Sequence, residues 1–140
     1  MTTAAIILIC GALSVHDADT IRCNGKPVRL SSIDAPELAQ PCYDTDGQAW
    51  ACGMAARDAL RQLVASKTVR CVITGTDRYR RSLGICYVEV MDLNAWLVAH
   101  GWAVAYMHPD YEPQQAYARG HRRGVWAGKF EMPASWRKRR

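Results

Sequence analysis

Apolar and polar residues alternate along Val28-Arg29-Leu30-Ser31, and the pattern breaks off at Asp34-Ala35-Pro36-Glu37. A period of two marks a strand with one face in the core, and Pro36 cannot donate to a ladder, so the strand ends there. Thr68–Thr74 sets Val69, Cys71 and Ile73 against Arg70, Val72 and Thr74, and Ser82–Val90 reads as its partner. A hairpin turning near Arg78-Tyr79 puts Cys71 opposite Cys86 and Val69 opposite Val88. Ile6–Val15 alternates poorly, which predicts one strand covered on both faces. The polar turn His16–Asp19 then leads to a strand at Thr20–Cys23, and Asn24-Gly25 is a strong hairpin signal before the Val28 strand.

Helical periodicity appears in three places. Met54–Ser66 carries Ala56, Leu60, Leu63 and Val64 on one side and Arg57, Asp58 and Arg61 on another. Asp92 is a natural N-cap for a helix to His100, stopped by Gly101. A third helix is expected from Tyr111 to Arg123, ending before Gly124. Leu38–Gly53, bracketed by Cys42 and Cys52, is a loop long enough to be functional or tied down. The tail Trp136–Arg140 reads as a solvated basic end, with a direct nucleic acid contact as the sharper alternative. Together these predict an α+β fold, a five-stranded barrel of the oligonucleotide-binding type with three helices, in a single domain over 1–140.

Charge and cysteines sharpen the picture. Lysine plus arginine number 18 against 13 acids, a net +5 that favours polyanionic partners. The six cysteines include no Cys-x-x-Cys pair and no Cys–His cluster of zinc spacing, so a structural zinc is not expected. An even count without metal spacing points to disulfides and an oxidising compartment, periplasmic or secreted. Cys71–Cys86 is the foremost pair and Cys42–Cys52 would pin the long loop. Six reduced thiols in a cytoplasmic protein are the alternative. The apolar run Ala4–Leu13 lacks a basic start, Ile9 before Cys10 spoils a lipoprotein-type cleavage site, and the run is too short to span a bilayer. It is expected to be a strand rather than an anchor, with any export signal lying outside this chain.

The charged residues gather at strand ends and turns: Asp17 and Asp19, then Arg29, Asp34 and Glu37, then Asp77, Arg78, Arg80 and Arg81. Carboxylates collect a hard divalent cation, and arginines grip phosphate oxygens in bidentate fashion. A glycosidase would use two acids without flanking arginines. Scattered surface salt bridges are the plain structural alternative.

Between Val15 and Trp126 the chain resembles the staphylococcal nuclease (thermonuclease-like) family. The resemblance is carried by Asp17-Ala-Asp-Thr20, Val28-Arg-Leu through Ile33-Asp-Ala-Pro-Glu37, Asp77-Arg-Tyr-Arg-Arg81 and Asp92-Leu-Asn94, with Leu97-Val98, Gly101-Trp-Ala103 and Gly124-Val-Trp126 in the family's order. It implies a calcium-dependent, monomeric nuclease that hydrolyses phosphodiesters of DNA or RNA, leaves 3′-phosphate ends and does not insert into membranes. By position, Asp19 and Asp34 would hold Ca²⁺ with the carbonyl of Ala35. Glu37 would orient or deprotonate the attacking water, and Arg29 and Arg81 would clamp the phosphate. Tyr79 and Tyr106 match nucleotide-contacting positions, and Arg78 stands with them on the substrate side. Ala18 and Arg80 replace glycines of the family pattern, so both turns are expected to be strained if they need positive φ. A binding module that has lost catalysis on the same fold is the second expectation.

Overall fold

A computed structural model describes residues 4–139. Its main sheet has seven strands: β1 (Ile7–Cys10), β2 (Leu13–Asp17), β3 (Thr20–Cys23), β4 (Lys26–Leu30), β8 (Val69–Thr76), β9 (Ser82–Val88) and β10 (Met91–Asp92). The order is β1-β8-β9-β4-β3-β2, with β10 on β9; β4 and β9 run parallel and the other pairs antiparallel. Short strands β5 (Ile33–Asp34) and β11 (Val104–Ala105) pair separately, as do β6 (Cys42–Tyr43) and β7 (Ala49–Trp50). The expected hairpin has the expected register: Cys71 faces Cys86 and Val69 faces Val88.

The Ile6–Val15 stretch is two strands, not one. The chain folds at Gly11-Ala12, where the Asn24 side chain accepts from both amides (2.8 and 3.1 Å) and donates to the Ile9 carbonyl (2.9 Å). Nor is β1 covered on both faces: Ile7 and Ile9 are about half exposed. Isoleucines on its outward face hide an alternation that is physically present. β1 and β2 end up at opposite edges of the sheet, joined by chain and not by a ladder, so the sheet is not a closed barrel.

The helices are α1 (Cys52–Val64), α2 (Leu93–Ala99), α3 (Glu112–Gly120) and α4 (Pro133–Lys138). Asp92 caps α2 as expected, accepting from the Ala95 amide at 2.9 Å. The third helix is shorter than its periodicity suggests, because Pro109–Tyr111 forms a 3-10 turn ahead of it. α4 overlaps the stretch expected to be a solvated basic end; that expectation fails at Trp136 and Arg137, which are partly buried, and holds at the exposed Lys138 and Arg139, while Arg140 lies outside the described residues.

Ile21, Val28, Leu30 and Val69 from the sheet pack with Leu60 of α1 and Leu93, Leu97 and Val98 of α2, all essentially inaccessible to solvent. Asn94 is buried among them, and its amide donates to the carbonyls of Ser31 (3.0 Å) and Gly84 (3.1 Å), tying α2 to the end of β4 and to β9. The cysteines form Cys10–Cys23, Cys42–Cys52 and Cys71–Cys86, with separations of 13, 10 and 15 residues. Loops of that length remove about 3 kcal/mol each of chain entropy from the unfolded state. The long loop is therefore pinned, and it carries the β6–β7 hairpin. Among the described residues no helix is long and apolar enough to cross a membrane.

Candidate active site

The site begins where β3 and β4 pair, with Thr20 opposite Arg29. That register sets the Arg29 side chain beside Asp19, which immediately precedes β3. After β4 the chain reverses at Ser32 (φ 64°), and β5 brings Asp34 back under the same guanidinium. Arg29 Nη1 lies 3.1 Å from Asp19 Oδ2, and Nη2 lies 3.3 Å from Asp34 Oδ1. The Asp34 side chain is 1% exposed and that of Arg29 is 13% exposed. Charges this deep persist only when paired and hydrogen-bonded. Asp19 meets the condition, since Oδ2 also accepts from the Ala35 amide (2.8 Å) and Oδ1 from the Thr20 hydroxyl (3.2 Å).

The carboxylates differ in basicity. Burial works to raise Asp19, but the Arg29 guanidinium and the hydrogen bonds from Asp17, Ala35 and Thr20 outweigh it and hold its carboxyl below the usual range. Burial pushes Asp34 up to about 6; Arg137 opposes the rise and the Asp19 charge adds to it. Asp17 is raised further, by burial and then by the neighbouring Asp19. Two adjacent acids are thus driven apart, one ionised and one retaining its proton near neutrality.

Glu37 meets this cluster through a residue that sequence reasoning missed. Arg137 of α4 reaches back across the chain, with Nη1 donating to Asp34 Oδ1 (2.9 Å) and Glu37 Oε1 (2.8 Å) and Nη2 to Asp34 Oδ2 (3.0 Å). Gly53, at the start of α1, lies so close to the Glu37 carbonyl that no side chain would fit between them, which fixes the backbone there. A cleft of about 620 Å³ opens beside the cluster, lined by His16, Asp17, Glu37, Leu38, Trp136 and Arg137.

The remaining expected site residues lie elsewhere. Arg81 pairs with Asp77 (2.7 Å) in the β8–β9 turn rather than with the buried aspartates. Asp77 also accepts from the Tyr79 and Arg81 amides, and although its slight burial works upward, these bonds lower its carboxyl below the usual range. Arg78 stacks over the exposed Tyr79, with the guanidinium 5.0 Å from the ring centroid. In the β4–β9 register Arg29 is level with Leu83, and Arg81 precedes Leu83 by two. Tyr106 lines a separate hollow with Met107, His108 and Glu112. Of the two replaced glycines, Ala18 has ordinary φ and is fully buried, whereas Arg80 is left-handed (φ 65°). The strain expectation thus holds at one turn and not at the other.

A family model described as staphylococcal nuclease homologue matches residues 27–128, from β4 to the end of the 3-10 turn Gly124–Ala127 and one residue beyond. The chain belongs to that family. As a staphylococcal nuclease homologue it is a hydrolase with nuclease activity. Among its relatives is the succinoglycan biosynthesis protein ExoI of Rhizobium meliloti (strain 1021), 38% identical over 88% of this chain and 67% of that protein. Uncharacterized endonucleases of Haemophilus influenzae and Escherichia coli O157:H7 are 33% and 34% identical, over 92% and 90% of this chain and 72% and 82% of theirs. The family match ends before Arg137, so no motif could have pointed to that residue. Asp17, by contrast, sits inside the Asp17–Thr20 motif, and its partial burial beside Asp19 sets it apart.

Proposed function

We propose that this staphylococcal nuclease homologue hydrolyses phosphodiester bonds of DNA or RNA with Ca²⁺, at the cluster of Asp19, Arg29, Asp34 and Glu37. The observation that carries the reading is the meeting of Asp34 and Glu37 on one guanidinium nitrogen, with Arg29 fixed on the other side of Asp34. Metal-ligating acid, water-activating acid and phosphate-binding arginine thereby share one small space.

The donor set fits a hard cation. It is all oxygen, and a positive guanidinium already rests on it as a stand-in. Among the described residues no three His, Cys, Asp or Glu side chains cage a metal unaided. Asp19, Asp34 and the Ala35 carbonyl would therefore hold it with water completing the sphere. Bound there, Ca²⁺ would supply Lewis-acid polarisation of a phosphate oxygen.

The chain's own residues do the rest. Glu37 accepts a proton from water as the water oxygen bonds to phosphorus. The bond from phosphorus to the 5′ oxygen breaks, leaving a 3′-phosphate, and the departing 5′ oxygen takes a proton from solvent water to become the hydroxyl. Arg29, and Arg81 swung from the β8–β9 turn, donate to the phosphoryl oxygens as charge builds on them. Tyr79, Arg78 and Tyr106 offer aromatic and cationic contacts to the flanking nucleotide. The open sheet would present this site as a monomer. Three disulfides suit a periplasmic or secreted protein.

The test is cleavage of single- and double-stranded DNA and of RNA, with Ca²⁺ and with chelator. Metal-dependent cleavage leaving 3′-phosphate ends is expected. Retention of nucleic acid without cleavage at any Ca²⁺ concentration would favour the binding module instead.

A further inference from the structure

Nothing in phosphodiester hydrolysis calls for a guanidinium on both the metal-ligating acid and the water-activating acid, yet α4 puts one there. We propose that the C-terminal helix is an internal competitor for the cation. Arg137 occupies Asp34 and Glu37 in the resting protein and must leave before those carboxylates can bind metal and activate water. The inference rests on the nuclease reading of the cluster and adds its regulation.

Three observations carry it. First, Nη1 and Nη2 of Arg137 spend all three of their hydrogen bonds on carboxylate oxygens. A guanidinium seated this way is not poised for phosphate. On Glu37 it holds Oε1, one of the two oxygens able to take a proton from water, and on Asp34 it engages both oxygens, one of them shared with Arg29. Charge-assisted bidentate pairs of this kind are among the stronger contacts a surface segment can make.

Second, the tail is latched by groups belonging to the site itself. Gln40 is 1% exposed; its Oε1 accepts from the Glu37 amide (3.2 Å) while its Nε2 donates to the Glu131 carbonyl (2.7 Å) just before α4. Arg139 closes the helix back on the Glu131 carboxylate, at 2.6 and 3.0 Å. One buried amide thus joins the backbone of the water-activating acid to the tail.

Third, the arrangement is asymmetric in solvent. The Asp34 side chain is 1% exposed and that of Arg137 is 36% exposed. The acid cannot leave, whereas the arginine can withdraw into water with a helix of only six residues. An isolated helix that short is not stable by itself, so its order depends on these contacts.

When the competent state is only fractionally populated, apparent affinity falls by that fraction. Removing the competitor should therefore tighten cation binding. The experiment uses the full chain with Arg137→Gln and Arg137→Lys, and Ca²⁺ alone as the probe in calorimetric titration. Trypsin cleavage after Arg137 and Lys138 is followed in parallel in the wild type and the lysine variant, with and without Ca²⁺. We expect Arg137→Gln to bind Ca²⁺ on the order of tenfold more tightly, with half-maximal cleavage of DNA at a correspondingly lower Ca²⁺ concentration. Arg137→Lys, which keeps the charge but loses the fork, should fall between. Ca²⁺ should speed proteolysis of the wild-type tail. Unchanged or weaker Ca²⁺ binding in both variants overturns the proposal, as does a loss of cleavage by Arg137→Gln at every Ca²⁺ concentration, which would make Arg137 a phosphate clamp. The two readings fail separately: tighter Ca²⁺ binding without cleavage by any form sinks the nuclease reading alone, and Ca²⁺-dependent cleavage with equal affinities sinks this one alone.

Discussion

Two arginines expected to do the same work are held in opposite ways. Arg29 is wedged in the sheet between Asp19 and Asp34 with a side chain 13% exposed, while Arg81 hangs on one aspartate in an open turn at 36%. One is part of the core's electrostatics and is positioned before anything binds. The other is positioned by three hydrogen-bond acceptances of Asp77 and can move without disturbing the core. The difference teaches that half of the proposed site is preorganised by folding and half is held only by a turn, so disturbing the two arginines should cost mainly stability at Arg29 and mainly rate at Arg81.

The strongest expected effect lies in the fixed half. Glu37→Gln keeps the shape and removes the basicity, so turnover should drop by roughly 10²–10⁴-fold with the melting temperature nearly unchanged. Undiminished turnover would take Glu37 out of the chemistry. Arg29→Gln comes next: it leaves two buried carboxylates short of their counter-charge, and about 3–5 kcal/mol of stability should disappear in denaturant titration. A loss below 1 kcal/mol would show that Arg29 is no more embedded than Arg81, and the contrast would collapse.

The turn should behave differently. Asp77→Asn should cost far less stability than Arg29→Gln yet lower kcat by about 10–100-fold through a misplaced Arg81; a stability loss as large as that of Arg29→Gln would deny the turn its independence. Asp77 also predicts an acid limb. Its carboxyl is lower in the folded state than the ordinary 3.8, so folding binds fewer protons there. That contribution is present above about 3.8 and is lost as pH falls below it, and Asp77→Asn should flatten the limb in pH-dependent unfolding. The smallest effects belong to the two replaced glycines. Arg80→Gly should relieve about 1 kcal/mol at a left-handed position, whereas Ala18→Gly should lose about 0.5–1 kcal/mol at an ordinary one. Melting curves shifted in the same direction would contradict the φ angles.

The local parts of both halves were legible in the sequence. Alternation from Val28 to Ser31, the break at Pro36 and the spacing of Arg29, Asp34 and Glu37 are local signals, and the Cys71–Cys86 register followed from the turn near Arg78-Tyr79. What stayed hidden depends on distance along the chain. The Arg137 side chain meets Asp34 across 103 residues, and a basic tail has no periodicity to announce such a contact. Exposed Ile7 and Ile9 masked the division of β1 from β2, because hydropathy does not distinguish an outward isoleucine from a buried one. Strain at Arg80 but not Ala18 likewise depends on φ, which a missing glycine alone does not give.

The disulfide pairing has a consequence for biogenesis. Every cysteine is bonded to the next one along the chain: Cys10 to Cys23, Cys42 to Cys52, Cys71 to Cys86. Of the many pairings six cysteines allow, this is the one a chain reaches when each thiol is oxidised with its predecessor as it emerges N-terminus first. No loop threads through another and no bond waits for the C-terminus. Vectorial entry into an oxidising compartment, N-terminus first, would therefore deliver the native set directly, without disulfide exchange.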